Sequence, residues 1–441
     1  MTALVPQARP IDTLRWPDLA PMRASARTRI ESTIARTLFR GAIGRLPVRA
    51  TFPDGSVVGA GGPTSPSMTI NDPASFFARL GSGKLIGFGE SYMAGDWDAE
   101  DLGGFLTELA AHMATLVPAP LQKLRAFVVA RHPSEEKGEV ENTRDNIARH
   151  YDLSNDMFAT FLDSTLTYSS ALFVPPTPLS RTTRARAAVG TAPSPGTPTA
   201  AELPEAQQRK IDRLLDQAGV TAGSRVLEIG TGWGELCIRA AQRGATVRSV
   251  TLSSEQKALA DARIAEAGYA DQVQIDLLDY RLVTGEYDAV VSVEMIEAVG
   301  LDFLPSYFAK IDEVLAPGGR AAIQAITMPH DRVLATRNTY TWVHKYIFPG
   351  GFLPSTEMLD EVTRSGTRLR ISDRLSMGQH YAQTLRLWDD AFLEAQEAVH
   401  ALGFDKVFDR MWHFYLEYSR AGFASGYLDV QQITFTREDD A

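Results

Sequence analysis

The hydrophobic pattern divides the chain into two parts with different periods. From residue 207 onward, segments such as QRKIDRLLDQAGV and SEQKALADARIAEAG alternate with short apolar runs such as SRVLEIG, ATVRSVTLS and YDAVVSV. Apolar residues at helical spacing predict amphipathic helices, whereas short apolar runs bounded by turn residues predict buried strands. Strands that alternate with helices predict an α/β fold with a parallel, doubly wound sheet, whose ligands bind at the carboxyl ends of the strands.

The amino-terminal part contains a helical pattern of another kind. Between residues 23 and 49 there are seven arginines and one acidic residue, Glu31, while Ile30, Ile34 and Leu38 recur every four positions. This pattern predicts a basic amphipathic helix. Two interpretations stay open: the helix packs on its own domain, or it lies on anionic lipid headgroups, which attract arginine.

Turn signals and changes in composition predict the domain organisation. The stretch VRATFPDGSVVGAG has β-type residues on both sides of an Asp-Gly pair, which predicts a hairpin. We expect a loose tail over residues 1–22, a smaller α+β lipid-binding domain over 23–135 and a larger domain over 136–441. Residues 174–203 are rich in Pro, Thr, Ala and Ser, and we expect a mobile loop there.

Composition narrows the class of protein. The net charge of −10 argues against a general nucleic-acid-binding protein, which needs clustered positive charge. The single cysteine, Cys237, excludes an internal disulfide and a cysteine-based zinc site, and the histidines have no metal-ligand spacing, so we expect no metal. No signal peptide or membrane-spanning stretch is recognisable. We therefore expect a cytoplasmic protein that meets a membrane only from its surface.

The strongest local motif is VLEIGTGWGE, in which an apolar strand containing Glu228 runs into the glycine-rich segment 230–234. Glycine lets the backbone turn tightly and approach a bound nucleoside without interference from a Cβ atom. The G-x-G-x-G spacing differs from the dinucleotide fingerprint and is similar to the first motif of class I S-adenosylmethionine methyltransferases. A plain glycine-rich turn is the alternative. The next strand ends without an acidic residue for the ribose hydroxyls, so Ser253 or Gln256 must make that contact.

Longer motifs in a fixed order extend this resemblance. They are GESYMAGDWDAEDL at 89–102, RHYDLSNDMFATFLDSTLTYSSALF at 149–173, MIEAVG at 295–300, YIFPGGFLPS at 346–355 and HYAQTLRLWDDAF at 380–392. Together they resemble the cyclopropane-fatty-acyl-phospholipid synthase and mycolic-acid methyltransferase family. The first is similar to the amino-terminal domain of the full-length bacterial synthases. The resemblance implies that residues 136–441 form a class I methyltransferase domain that binds S-adenosylmethionine.

The resemblance also implies site residues. Those that match the family's cofactor site are Tyr168, Ser169, Glu228, Gly230, Thr231, Gly232, Trp233, Gly234, Thr251, Leu252, Ser253, Gln256, Asp279 and Tyr280. The family holds a bicarbonate ion as general base, and the positions that match its surroundings are Glu297, Tyr381, Ile326, Ser170 and Gln324. Ser170 and Gln324 stand where the family has Cys and His, and both can still hydrogen-bond an anion. Whether bicarbonate is the base in this chain stays open.

The implied reaction is methyl transfer from S-adenosylmethionine to the double bond of an unsaturated acyl chain on a phospholipid. Proton loss then closes a cyclopropane or, after a hydride shift, leaves a methylene branch; Ser170 in place of Cys inclines us towards branching. Expected partners are the unsaturated phospholipid, an anionic membrane surface, a reductase that saturates a methylene branch, and a second copy in a homodimer. The alternatives are a methyltransferase for a small polar molecule and a lipid-binding protein without activity.

Overall fold

The computed structural model describes residues 11–22, 25–113, 154–173 and 189–438. The chain divides into two compact units: unit 1 comprises residues 1–130, 340–347 and 392–427, and unit 2 comprises residues 131–339, 348–391 and 428–441. The sequence analysis drew a single boundary near residue 135. Unit 1 also includes the two later segments, because the helix Lys406–Ala424 packs against the helices Pro73–Met93 and Leu102–Ala111.

The elements are numbered in chain order. The helices are α1 Ala26–Ile43, α2 Pro73–Met93, α3 Leu102–Ala111, α4 Asn155–Ala159, α5 Leu203–Gln217, α6 Glu235–Gln242, α7 Ser254–Glu266, α8 Leu304–Val314, α9 His330–Thr336, α10 Trp342–Tyr346, α11 Thr356–Gly366, α12 Gly378–Glu394, α13 Gln396–Ala401 and α14 Lys406–Ala424. The strands are β1 Arg49–Thr51, β2 Val57–Val58, β3 Ser67–Ile70, β4 Trp97–Ala99, β5 Val189–Thr191, β6 Arg225–Ile229, β7 Thr246–Thr251, β8 Val273–Leu277, β9 Tyr287–Val293, β10 Leu315–Thr327, β11 Leu369–Ser376 and β12 Asp429–Arg437.

Unit 1 combines helices with a four-stranded sheet in the order β2-β1-β3-β4. The predicted hairpin is confirmed: β1 and β2 are antiparallel, and the Phe52 N–H donates to the Ser56 carbonyl across the Asp54-Gly55 turn. Asp-Gly favours such a turn because both residues tolerate the backbone conformation that it needs. Gly55 has a φ of 81°, in the left-handed region.

The predicted helix over the arginine-rich segment is confirmed as α1, which begins after Ser25. The Ser25 side chain accepts a hydrogen bond from the Thr28 N–H, the usual role of serine at a helix start. The buried face of α1 is formed by Ala35, Phe39 and Ile43. The row of Ile30, Ile34 and Leu38 is exposed instead. The interpretation that the helix packs on its own domain is confirmed, because α1 packs against α2 through its buried face. The interpretation that it lies on anionic lipid headgroups stays a prediction.

The expected loose tail over residues 1–22 is wrong for its second half. Residues Pro17–Leu19 form a 3-10 helix, and the Leu19 side chain is buried. The Arg79 guanidinium of α2 donates to the Leu19 carbonyl at 2.7 Å. The segment is held because a buried arginine needs acceptors, and the tail supplies them. Residues 1–10 lie outside the described part of the chain.

Unit 2 is built on an eight-stranded sheet in the order β5-β11-β12-β10-β9-β6-β7-β8. The five strands from β10 to β8 in this order are all parallel, as predicted for the doubly wound sheet. Strand β12, which was not among the predicted strands, is inserted antiparallel between β10 and β11.

The central strands are buried on both faces. Val226 of β6 belongs to a core with helices α5, α6 and α7, whereas its neighbour Leu227 belongs to a second core with α8 and α11. Successive strand residues point to opposite faces, so each parallel strand needs apolar residues at nearly every position. This requirement explains the continuous apolar runs of the sequence.

The mobile loop expected over residues 174–203 is wrong from Val189 onward. β5 pairs with β11, and a 3-10 helix at Ala200–Glu202 leads into α5. Thr199 and Glu202 form a reciprocal capping box that fixes this helix start. Residues 174–188 lie outside the described part of the chain. Within the described residues, no helix has the length and apolar composition needed to cross a membrane.

Candidate functional site

A cleft opens at the carboxyl ends of β6 and β7, beside the glycine-rich segment that follows β6. Gly230, Gly232 and Gly234 have φ values of 96°, 53° and 89°, a region that favours glycine. A Cβ atom on Gly232 would meet no atom within 4 Å, so it would project into open space. A Cβ atom on Gly234 would instead lie 3.2 Å from the Ala260 side chain of α7. The missing side chain at Gly232 thus leaves space in the cleft, and the missing side chain at Gly234 lets α7 pack close to the glycine-rich segment.

Most of the residues that match the family's cofactor site line this cleft. They are Tyr168, Ser169, Glu228, Gly230, Thr231, Gly232, Trp233, Thr251, Leu252, Gln256, Asp279 and Tyr280. Gly234 and Ser253 are not among the lining residues. Ser253 caps α7 by accepting a hydrogen bond from the Gln256 N–H. Of the two residues expected to replace the acid at the end of β7, Gln256 is therefore the one that reaches the cleft.

The acidic residue of the glycine motif, Glu228, is tied into a buried network beneath the cleft. The Cys237 thiol and the Ser249 hydroxyl both donate to its Oε2, at 2.9 and 2.6 Å. Burial raises the pKa of Glu228 to about 7, although both hydrogen bonds favour the ionised form. The Ser249 hydroxyl is also hydrogen-bonded to Thr231 of the glycine-rich segment. Glu228 thereby supports the segment that it precedes.

The residues matched to the family's bicarbonate position, called the base site below, include three that surround Glu294, a cleft-lining residue that no sequence motif had singled out. Three donors from separate segments meet its carboxylate: the Ser170 N–H at 3.0 Å, the Gln324 Nε2 at 2.8 Å and the Tyr381 hydroxyl at 2.8 Å. Of the residues matched to the family's bicarbonate site, three therefore surround a carboxylate of the chain itself. Ser170 contributes its backbone; its hydroxyl donates to the Ala171 carbonyl.

Glu294 has an unusual backbone conformation. It follows β9 directly, with a φ of 49°, and its N–H donates to the Gln324 carbonyl at 2.8 Å. A non-glycine residue in this region costs on the order of 1–3 kcal/mol and is found mainly where the surroundings impose it. Here the conformation turns the side chain of Glu294 towards Tyr381 and Ser170. Burial raises the pKa of Glu294, while Lys210 and the three hydrogen bonds act in the opposite direction.

The orientation of the Gln324 amide is fixed by its neighbours. The Gln432 Nε2 donates to the Gln324 Oε1 at 3.1 Å, so the Gln324 NH2 group faces Glu294. The Gln432 Oε1 in turn accepts from the Arg213 guanidinium at 2.8 Å. Such a chain of hydrogen bonds satisfies each buried polar group and holds the donor in place. Gln324 therefore acts on Glu294 as a preorganised donor.

Glu297 lies close by but has other contacts than the sequence analysis expected. Its Oε1 accepts the Ile326 N–H at 2.5 Å, and its backbone carbonyl accepts the Phe352 N–H at 2.9 Å. Its Oε2 is buried and has no hydrogen-bond partner among the described residues. Burial, followed by the negative charge of Glu294, raises the pKa of Glu297 to about 8. Glu297 is therefore largely protonated at neutral pH.

Aromatic rings surround this pair of sites. Tyr168, which lines the cleft, stacks on Trp388 with ring centroids 5.2 Å apart. Tyr381 meets the same indole edge-on at 6.1 Å. Trp388 is fully buried. Tyr168 and Glu294 line the same cleft, so these rings place apolar, electron-rich surface close to the carboxylate of Glu294.

Lys210 is a second residue that the sequence analysis missed. It lies on α5, lines the cleft and is fully buried, and its Nζ donates to the Ser169 hydroxyl at 2.6 Å. Burial lowers the pKa of Lys210 to about 8, and the charge of Glu294 counteracts this. A signal was present in the sequence: Lys210 falls between Ala206 and Leu214 in the apolar row of α5. A cation in such a row needs a buried anion.

Comparisons with known proteins agree with this geometry. The family model of mycolic acid cyclopropane synthetase matches residues 139–433. Tuberculostearic acid methyltransferase UfaA1 of Mycobacterium tuberculosis is 52% identical over 437 residues, 99% of this chain and 98% of that protein. Cyclopropane-fatty-acyl-phospholipid synthase of Escherichia coli is 30% identical over 367 residues, 82% of this chain and 86% of that protein.

Solved structures give the same result. The cyclopropane synthase MmaA2 from Mycobacterium tuberculosis has a TM-score of 0.57 and 30% identity, covering 66% of this chain and 97% of that chain. The mycolic acid cyclopropane synthase CmaA1 complexed with SAH and CTAB has a TM-score of 0.56 and 29% identity, covering 66% of this chain and 97% of that chain.

S-adenosylmethionine fits the cleft. The open space over Gly232 accommodates a ligand against the backbone, and Asp279 and Gln256 supply polar groups for a nucleoside. The resemblance stated from the sequence motifs is confirmed by the family match and by the relatives. The chain belongs to the mycolic acid cyclopropane synthetase family, and it is an S-adenosylmethionine-dependent methyltransferase.

Proposed function

We propose that this enzyme methylates the double bond of an unsaturated phospholipid acyl chain and releases a methylene-branched product rather than a cyclopropane. The observation that carries the proposal is the carboxylate of Glu294, held by Ser170, Gln324 and Tyr381. Two relatives support the substrate class: one is named for tuberculostearic acid, a branched fatty acid, and the other for fatty-acyl phospholipids.

S-adenosylmethionine supplies an electrophilic methyl group when it is bound in the cleft. Methyl transfer to one alkene carbon leaves a positive charge on the other. The faces of Tyr168 and Trp388 stabilise this charge, because aromatic faces attract cations. The buried, apolar surroundings also exclude water, which would otherwise capture the cation.

We propose that Glu294 is the base that removes the proton, in place of a bicarbonate ion. Its carboxylate occupies the position surrounded by the groups matched to the family's anion site, so the chain itself provides the anion there. The three donors favour the ionised form and hold the carboxylate in place, although burial raises the pKa of Glu294 overall. Before the proton is removed, a hydride moves from the methylated carbon to the cation. Glu294 then takes a proton from the new methyl group, and a methylene branch results.

A methylene-branched product must be reduced by a further reaction to become a methyl-branched fatty acid. A methylene branch is a carbon–carbon double bond, so its conversion to a methyl branch needs a hydride donor and a proton. We propose that a separate reductase performs this step, and that the enzyme reaches its phospholipid at an anionic membrane surface. The homodimer stays a prediction from the sequence.

The direct test is product analysis with the purified enzyme, S-adenosylmethionine and vesicles of a mono-unsaturated phospholipid. A methylene branch and a cyclopropane have equal mass, so the fatty acids are treated with ozone before mass spectrometry. Ozone converts a methylene branch to a ketone and leaves a cyclopropane unchanged. We expect the ketone, and none in a reaction without S-adenosylmethionine. A product that resists ozone completely would contradict the proposed branching, and the absence of any methylated lipid would contradict the proposed substrate.

A further inference from the structure

Helix α1 carries an apolar row that nothing in the described part of the chain covers. Ile30, Ile34 and Leu38 are 62%, 53% and 47% exposed, although they are large aliphatic side chains. Their spacing of four residues places them in one row along the helix. The buried face of the same helix is formed by other residues, Ala35, Phe39 and Ile43. Exposed apolar rows of this kind mark surfaces that bind a partner or a membrane.

Arginines form a second exposed edge of the same helix. Arg29, Arg36 and Arg40 all lie on it, and none of them forms an ion pair with a described residue. The Arg36 guanidinium lies over the Phe77 ring at 4.9 Å, and the Arg40 guanidinium lies over the Phe52 ring at 4.7 Å. Stacking on a ring leaves the N–H groups at the edge of a guanidinium available for other acceptors.

The two stacked arginines line a shallow surface cavity together with Phe52, Pro53, Asp54 and Pro73. The carboxylate of Asp54 accepts the Ser56 N–H, and no direct bond from it to either arginine is present among the described residues. The guanidinium donors therefore remain for an external ligand. Arginine binds phosphate through paired N–H groups, so an ester phosphate is the ligand that this edge fits best.

We propose that this face of α1 is the surface by which the enzyme docks on an anionic bilayer. Ile30, Ile34 and Leu38 enter the lipid layer, and the edge of Arg29, Arg36 and Arg40 binds headgroup phosphates. An amphipathic helix with adjacent arginines lies in the plane of a membrane interface in this manner. A bilayer is preferred over a protein partner because the proposed function takes its substrate from phospholipid, and this inference rests on that function in this respect. With a net charge of −10, the chain needs such a local basic surface to approach anionic lipid at all.

The first test compares two triple variants with the same change in net charge. Arg29, Arg36 and Arg40 are replaced with Gln in one, and the exposed arginines Arg225, Arg364 and Arg368 of unit 2 are replaced with Gln in the other. Binding to vesicles of phosphatidylglycerol and phosphatidylcholine is measured by sedimentation. We expect the first variant to bind on the order of a hundredfold more weakly, since each arginine near an anionic surface contributes roughly fivefold. We expect the second to bind nearly as the unmodified protein does. Equal binding by the two variants would overturn the proposal.

The second test asks whether the apolar row enters the lipid. Cys237 is the single cysteine and is fully buried, so a cysteine introduced at Ile34 can be labelled selectively with an environment-sensitive fluorophore. Leu402→Cys, at another exposed leucine of unit 1, is the control. We expect a blue shift on anionic vesicles for the label at residue 34 and none for the label at 402. A vesicle-bound protein without the shift would show that another surface docks.

Two further measurements distinguish membrane docking from self-association and from binding of soluble phosphate. A blue shift that grows with protein concentration in the absence of vesicles would assign the row to a second copy of the chain and overturn the membrane assignment. Free phosphate at millimolar concentration should leave vesicle binding unchanged if the ligand is a lipid headgroup within a bilayer. Complete release by phosphate would show a soluble-phosphate site instead.

Activity on a short-chain, monomeric unsaturated phospholipid should be the same for the Arg29, Arg36 and Arg40 variant as for the unmodified protein. A lack of activity in the unmodified protein would instead count against the proposed function, independently of docking.

Discussion

The cofactor cleft and the base site both contain buried carboxyl groups, but these groups differ in their partners and in the direction of their pKa shifts. In the cleft, Asp279 forms a 2.6 Å ion pair with Arg281, and although burial acts against it, the arginine holds the pKa of Asp279 below its usual value. In the base site, no arginine contacts Glu294 or Glu297 among the described residues, and burial raises the pKa of both. A paired carboxylate stays charged, whereas a carboxyl group held by neutral donors can exchange a proton.

This difference in pKa shift suits the two proposed tasks, which are cofactor binding and proton transfer. A binding site for a nucleoside needs a constant acceptor, and Asp279 provides one over the whole physiological range of pH. A general base must accept a proton and release it again in each cycle, which is easiest when its pKa lies near the working pH. We therefore propose that the arginine-paired group binds the cofactor and that the group without such a partner transfers the proton.

The largest effect is expected for Glu294→Gln, which removes the proton acceptor but keeps the size of the side chain. Loss of a positioned base lowers turnover by roughly 10²- to 10⁴-fold. The affinity for S-adenosylmethionine, measured by calorimetry, should change little because Asp279 and the glycine-rich segment remain. Turnover within about threefold of the unmodified enzyme would assign the base to another group.

A matched variant, Glu294→Gly, separates loss of the carboxylate from strain in the backbone. Glycine adopts the φ of 49° without cost and leaves a space bounded by Ser170, Gln324 and Tyr381. Added bicarbonate should restore part of the activity in this variant and none in Glu294→Gln, whose side chain still fills the site. Equal responses of the two variants to bicarbonate would contradict the placement of an anion there.

The second prediction disables the cleft and leaves the base site intact. Gly232→Val places a branched side chain in the open space over the glycine-rich segment, at a φ of 53° that disfavours valine. Cofactor affinity should fall by at least about tenfold, equivalent to about 1.4 kcal/mol. Thermal unfolding provides the control for folding, since the strained backbone also costs on the order of 1–3 kcal/mol. Unchanged cofactor affinity in a folded variant would remove the cleft from the mechanism.

The two regions also differ in how far the sequence reveals them. The cleft is formed largely by continuous motifs, such as residues 225–234 and 251–256, because a strand and the turn after it fold as one local unit. The parallel sheet likewise follows from alternating segments, since each buried strand needs an apolar run. Twelve of the residues proposed for the cofactor line the cleft for this reason.

Local patterns do not reveal the base site, because its residues come from four distant segments. The family resemblance supplied Ser170, Gln324 and Tyr381, and only Glu294 was missed. Their meeting depends on strand register, such as the pairing of Gln324 with Val293 and with Gln432, which no local pattern contains. Glu294 and Glu297 are both acids that follow an apolar strand, and the resemblance pointed to Glu297. What distinguishes them is a backbone conformation, the φ of 49° at Glu294, that a sequence does not display.

The third prediction concerns the charge that faces Glu294. Lys210→Met removes the buried ammonium group, whose charge lowers the pKa of Glu294 against the effect of burial. Without it the pKa of Glu294 rises further, and because only the ionised form accepts a proton, activity should be lost at a higher pH as the solution is acidified. The loss of activity relative to the unmodified protein should be larger at acidic than at alkaline pH. Lys210→Arg keeps the charge and is the control; a pH profile in Lys210→Met that differs from the unmodified profile only by a constant factor would give Lys210 a purely structural role.

The smallest effect on turnover is expected for Glu297→Gln. The raised pKa of about 8 means that Glu297 is already uncharged at neutral pH, and a glutamine can accept the Ile326 N–H in the same way. Turnover at pH 7 should therefore stay within about threefold of the unmodified enzyme, far above that of Glu294→Gln.

The same substitution should change how stability depends on pH. Between the ordinary value of 4.5 and about 8, the folded protein keeps the proton of Glu297 while the unfolded chain releases it, so the unmodified protein loses stability as the pH rises through this range. Glu297→Gln has no proton to lose, and its melting temperature should fall less than that of the unmodified protein between pH 5 and pH 8. Parallel melting curves over this range would show that Glu297 is ionised in the folded state, and a loss of turnover as large as that of Glu294→Gln would make the two carboxyl groups a single catalytic unit.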